Sequence, residues 1–160
     1  IVWAHNTHVG DARATDMASR GEVNVGQLVR EEYDPDEVAL IGFGTHRGAV
    51  VAGESWGAPM RQMRVPPARE GSYEHVIRRA DPTDCLLVSD DVRETALEEV
   101  RGHRAIGVVY HPERELGNYV PTVLPERYDA FLFLDQTEAL HPFDVDADER
   151  EVPEAYPWGY

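Results

Sequence analysis

The sequence predicts an α/β fold: a mostly parallel but mixed sheet flanked by helices. Short apolar runs bounded by polar or turn residues recur along the chain, and stretches of helical character, each about ten residues long, separate several of them. The segment Thr45-His46-Arg47-Gly48, lying between two apolar runs, is short enough for a hairpin, and this makes the sheet mixed.

The runs read as strands cover residues 1–4, 38–43, 49–52, 85–88, 105–110 and 130–134. Asn24 is placed to cap a helix over 25–33, with Gln27 three residues on as in a capping box and Pro35 stopping it. Ser72 caps a helix over 73–79. A third helix is expected over 92–101, where acids surround Leu97 and Gly102 follows the end. The domain is expected to span 1–143. Residues 144–160 form an acidic tail with Pro153 and Pro157, extended unless Tyr156, Trp158 and Tyr160 pin it down.

At 160 residues with 42% hydrophobic side chains, the chain fits one domain and can bury a core. Thirty acids face fifteen arginines and no lysine, for a net charge of -15. Such a charge repels nucleic acid and anionic membranes, so neither is an expected partner. The same balance reads as a cytoplasmic protein of a halophile, because molar salt shortens the screening length to roughly 3 Å and relieves carboxylate repulsion. Cys85 is the only cysteine, which rules out an intrachain disulfide and a cysteine-rich zinc site; within Cys85-Leu86-Leu87-Val88 it reads as a small buried hydrophobe. No run approaches the ~20 apolar residues of a membrane helix, and no secretory leader is legible.

Chemistry concentrates at the start, where Ile1-Val2-Trp3-Ala4 runs into His5-Asn6-Thr7-His8 and then Val9-Gly10-Asp11-Ala12-Arg13. In open α/β sheets the ligand crevice lies beyond the carboxyl ends of the strands, where this cluster would fall. Three readings stand: His5 and His8 as general base and acid toward an activated water, His-x-x-His with Asp11 or Asp16 as metal ligands, or histidines bonded to backbone at a strand end. Asn6 holds one imidazole tautomer, donates to a developing oxyanion or steadies a turn, and Arg13 either clamps a substrate or pairs with Asp11 or Asp16. His46 and His111, each at the end of an apolar run, are lesser candidates to line the cleft. Gly53-Glu54-Ser55-Trp56-Gly57 matches a nucleophile elbow, which would make the protein a serine hydrolase through Ser55. The prolines at 59, 66 and 67 argue against the helix that this motif needs.

The segment Trp3-Ala4-His5-Asn6-Thr7-His8-Val9-Gly10-Asp11 resembles the erythromycin esterase family. So, in the same order, do Gly42-Phe43-Gly44-Thr45-His46-Arg47-Gly48, the run from Pro67 to Glu74, Arg104-Ala105-Ile106-Gly107-Val108-Val109-Tyr110 and Tyr128-Asp129-Ala130-Phe131. The resemblance extends from Ile1 to about Phe143 and marks the chain as the C-terminal part of such a protein, an incomplete domain. It implies a hydrolase that opens an ester or lactone with water activated by histidines and a glutamate, without metal or cofactor. His5 and His8 would be catalytic; from their own chemistry and placement, Asn6, Asp11, Arg13 and His46 are the residues expected to meet the substrate. Family members also carry a Gly-Glu-x-x-His-type segment in the N-terminal half, and this chain has none. The implied partners are therefore a small ester or lactone and the missing N-terminal half, without which the chain is expected to be inactive. The alternative is a noncatalytic binding or assembly domain on the same fold.

The charge balance makes a direct prediction: the melting temperature rises between dilute buffer and molar KCl, as followed by circular dichroism. No rise would show that carboxylate repulsion does not limit stability.

Overall fold

The computed structural model describes residues 1–80 and 83–141; the acidic tail expected over 144–160 lies outside them. A one-turn helix α1 (Asn6–Val9) and α2 (Val25–Glu32) precede strand β1 (Ile41–Ala52). Strand β2 (Arg61–Val65), helix α3 (Tyr73–Ala80) and strand β3 (Cys85–Val88) follow. The chain continues through β4 (Arg101–Arg104), β5 (Tyr119–Thr122), α4 (Leu124–Arg127) and β6 (Ala130–Thr137).

The main sheet is mixed, in the order β2-β1-β6-β3, and a small antiparallel sheet joins β4 to β5. Its parallel pairing lies at the centre, where Ile41 to Gly48 of β1 run beside Ala130 to Thr137 of β6; β2 and β3 add antiparallel edges. At Gly48 the long strand β1 gains its second neighbour, β2. Gly48 has φ +139°, and a Cβ there would lie 2.0 Å from the Thr137 carbonyl oxygen, so only glycine passes this point.

One face of the sheet carries the core. Phe131 and Phe133 of β6 point toward α3, whose Tyr73 and Ile77 meet them together with Leu40, Leu124 and Tyr128. Gly42 and Gly44 make room on β1, because a Cβ at either would sit 2.8 Å from the Tyr128 ring or 2.4 Å from the Phe131 ring. The opposite face presents Ile41, Phe43, Leu86 and Val88. Buried Arg104 stitches the small sheet to the large one: its guanidinium donates to the carbonyls of Thr45, His46 and Pro66 and to Glu115.

The two capped helices form as the sequence predicts: Asn24 Oδ1 accepts the Gln27 N–H at 3.0 Å, and Ser72 Oγ accepts the His75 N–H at 3.3 Å. Four expectations are corrected. Residues 1–4 form no strand, since no strand of the sheet runs beside them. Residues 45–48 are no hairpin turn: β1 passes straight through, held by β6 along its whole first half. Residues 92–101 give only the short 3-10 turn Ala96–Glu98 before β4, because Arg101 onward pairs with β5. The run 105–110 is not a sheet strand; it bridges Gly53, just past β1, through Val109, and packs Tyr110 against Ala52 of β1. Among the described residues, no helix is long and apolar enough to cross a membrane.

Gly48→Ala is expected to destabilise the domain by about 1–3 kcal/mol in urea unfolding, since it forces a side chain into a positive-φ site against backbone.

Candidate active site

His5 caps α1. Its Nδ1 accepts the Thr7 backbone N–H at 3.3 Å and lies 2.8 Å from the Thr7 hydroxyl, while Nε2 lies 2.7 Å from the Ile106 carbonyl oxygen. A carbonyl can only accept, so the proton is assigned to Nε2, and Nδ1 is left as the acceptor. Burial pushes the His5 pKa below its usual value. The Ile106 carbonyl opposes that shift, and the charges of His8 and Arg127 add to it. His8 is exposed on the same turn, with its ring centroid 6.3 Å from that of His5.

Between them, Asn6 pairs with both backbone groups of Phe43 on β1: Nδ2 donates to the carbonyl at 2.6 Å, and Oδ1 accepts the N–H at 3.2 Å. The carboxamide thus extends the sheet by one residue. Its Nδ2 also reaches His103 Nε2 at 3.2 Å. The turn is held from below by Arg127, whose Nη2 donates to the Asn6 carbonyl at 3.1 Å, and by Asn24, whose Nδ2 donates to the carbonyls of Thr7 and Gly10. Arg127 is fully buried and forms no ion pair among the described residues; burial lowers its pKa, against the pull of the Asp16 charge.

Sequence reasoning missed the most buried polar pair of the molecule. Glu74 of α3 and His103 of β4 are both wholly inaccessible and meet at 2.7 Å, Oε1 to Nδ1. Burial alone would raise the Glu74 pKa, but hydrogen bonds from His103 and from the Arg104 N–H hold it below the usual carboxylate range. A signal for Glu74 was present: it stands three residues before Ile77 and one after Tyr73, on the apolar side of a short amphipathic helix. His103 was visible only as a histidine flanking the run 105–110, because its partner on β5, Val120, lies seventeen positions on in a strand that the apolar pattern did not reveal.

The other expected site residues lie elsewhere. Asp11 is buried and holds Arg13 through two contacts, Oδ1 to Nε at 3.0 Å and Oδ2 to Nη2 at 2.7 Å, and it also meets Arg30. Burial raises the Asp11 pKa, but hydrogen bonds from Arg13, with help from Arg30, leave it low. These groups line a shallow depression of about 440 Å³ with Pro35, Arg93 and Asp129. His46 sits on the Gly42–Gly44 face of β1, its Nδ1 buried without a partner and its pKa lowered by burial. Asp16 pairs with Arg20, so neither acid weighed as a metal ligand turns toward His5 or His8. Ser55 is exposed in the turn from β1 to the antiparallel β2; the strand-turn-helix of a nucleophile elbow is not formed. His111 is exposed at the start of a 3-10 segment.

The chain is an α/β domain whose polar turn is fastened to the open edge of a central strand, and this fold is shared with two solved proteins. One is a succinoglycan biosynthesis protein, with TM-score 0.68 at 22% identity over 86% of this chain and 33% of that one. The other is a protein from Bacillus cereus, with TM-score 0.70 at 18% identity and the same coverage of 86% and 33%. An erythromycin esterase in its open conformation matches less closely, with TM-score 0.44 at 21% identity over 71% of this chain and 26% of that one. The chain thus spans about a third of the length of the first two. The family model for erythromycin esterase matches residues 1–137, and the chain belongs to that family.

His5 and His46 both have folded-state pKa values below 6.5, so the unfolded chain binds more protons as the pH falls. The stability they contribute is complete above 6.5 and is lost as the pH drops from there toward their folded values. The urea midpoint is expected to fall between about pH 7.5 and about pH 5.5, with a smaller fall in His5→Gln.

Proposed function

We propose that this chain carries the water-activating imidazoles of an ester or lactone hydrolase and works together with the remaining two-thirds of a family domain. The observation that carries the reading is the pairing of a fixed, neutral His5 with an exposed His8 on one turn, in a chain of the erythromycin esterase family. In this reading His8 takes a proton from water as its oxygen bonds to the ester carbonyl carbon. His5 offers Nε2–H to the developing oxyanion in place of the Ile106 carbonyl. Collapse of the tetrahedral intermediate breaks the bond to the leaving alcohol, which takes the proton from His8. No metal or cofactor is called on. Arg13 and Asp11 hold each other and serve the site as a rigid flank; His46 would reach substrate only if the missing part opens that side.

The dependence on a further part is supported by the uncovered sheet face. Ile41, Phe43, Leu86 and Val88 are 47%, 37%, 58% and 43% exposed on adjoining strands, and the Trp3 ring packs 5.6 Å from that of Phe43. Strands in a parallel pair are ordinarily covered on both faces, and we assign the cover to the rest of the family domain. The charge balance supports a cytoplasmic setting rich in salt.

Two measurements test this. The chain alone is expected to show no turnover of a p-nitrophenyl ester panel, and supplying the upstream remainder of its reading frame is expected to create it; robust turnover by the isolated chain would refute the dependence. In the assembled protein, His8→Ala and His5→Ala should each lower kcat/KM by about 10²–10⁴-fold, as expected for loss of a general base or an oxyanion donor. Normal hydrolysis by both variants would leave a noncatalytic binding domain as the better reading.

A further inference from the structure

The geometry points to Glu74 and His103 as positioning residues that act through Asn6 on the turn bearing His5 and His8. This inference rests on the reading of those two histidines as the active pair. Four elements are joined in one line: Glu74 on α3, His103 on β4, Asn6 on α1 and the Phe43 backbone on β1. The direction of each bond follows from chemistry. Asn6 Oδ1 faces the Phe43 N–H, which makes Nδ2 the donor side, so His103 Nε2 must accept. His103 is then the neutral Nδ1–H tautomer, and its one proton goes to Glu74 Oε1, which also takes the Arg104 N–H.

Packing alone does not call for this arrangement. A buried acid and imidazole are costly to desolvate, and an apolar pair of the same volume would fill the space between Tyr128 and Phe131 more cheaply. What the pair does achieve is orientation: with Nε2 obliged to accept, the Asn6 amide has one face to offer, and the turn locks onto Phe43 in one register. His5 then meets the Ile106 carbonyl with a single tautomer, and His8 is displayed one helical turn on.

The test uses the ¹⁵N-labelled 160-residue chain and two variants. His103→Phe keeps the ring contacts and removes both nitrogens; His103→Gln restores a donor toward Glu74 and an oxygen toward Asn6. Long-range ¹H–¹⁵N spectra of the unaltered chain should show His103 as Nδ1–H and His5 as Nε2–H. In His103→Phe the Phe43 amide should lose about tenfold or more of its exchange protection, and His5 its single tautomer, while His103→Gln recovers both. A folded His103→Phe that retains both signals overturns the inference. Should that variant not fold, Asn6→Leu decides, since it leaves the buried pair in place: a His5 tautomer unchanged there overturns the inference, and its loss supports it. Ester turnover is read separately in the assembled protein, where His103→Phe should lower kcat by about tenfold with KM unchanged and His103→Gln should restore it. If no ester is hydrolysed at all, the functional reading fails, while the spectra still decide the positioning role.

Discussion

The buried pair of Glu74 and His103 is the constraint around which the domain is arranged. A carboxylate with no access to water must find donors, and it finds them on β4, in the His103 ring and the Arg104 N–H. That requirement brings α3 and the small β4–β5 sheet against the same side of the main sheet. The aromatic rings of Tyr128 and Phe131 then close over His103, edge to face. Polar satisfaction and apolar packing thus meet at one side chain, His103.

The consequence at the surface is an unusual way to hold a short turn. A helix of one turn has too few internal hydrogen bonds to persist alone. Here α1 persists because several of its groups are claimed from outside: the Asn6 side chain by Phe43 and His103, the Asn6 carbonyl by Arg127, and the carbonyls of Thr7 and the capping Gly10 by Asn24. Arg127 supplies the complement to Glu74. It is a buried cation with no ion pair among the described residues, close enough to His5 to disfavour a second positive charge there. An imidazole kept neutral by burial and by neighbouring cations is suited to donate or accept a proton near neutral pH.

The sheet itself is two-faced. On the helix side, Gly42 and Gly44 admit the rings of Tyr128 and Phe131 onto β1, so the Gly-Phe-Gly motif marks close packing here. On the other side, Ile41 and Phe43 stand out from the same strand, partly exposed, with the Trp3 ring against Phe43. The alternation of a half-buried strand is therefore present, but both sets of side chains are apolar or absent, as in a strand meant to be covered twice.

Much of this was legible in order of sequence separation. The capped helices 25–32 and 73–80 depend on residues three positions apart, and the strands 85–88 and 130–137 on runs of apolar side chains, so local pattern sufficed. His5, Asn6 and His8 were visible as a cluster for the same reason. The long strand through Thr45 to Gly48 was not, because only pairing with β6, almost ninety residues on, keeps the chain extended there. Nor was the site's interior: the partners of Asn6 and Glu74 lie 97 and 29 residues away. The sequence by itself determined the α/β class, the family and the polar turn, since these rest on local periodicity and ordered motifs. Only the tertiary structure decided which histidine is buried, which tautomer each buried ring adopts and which acid stands behind them, because those are set by desolvation and by donors brought together across the fold.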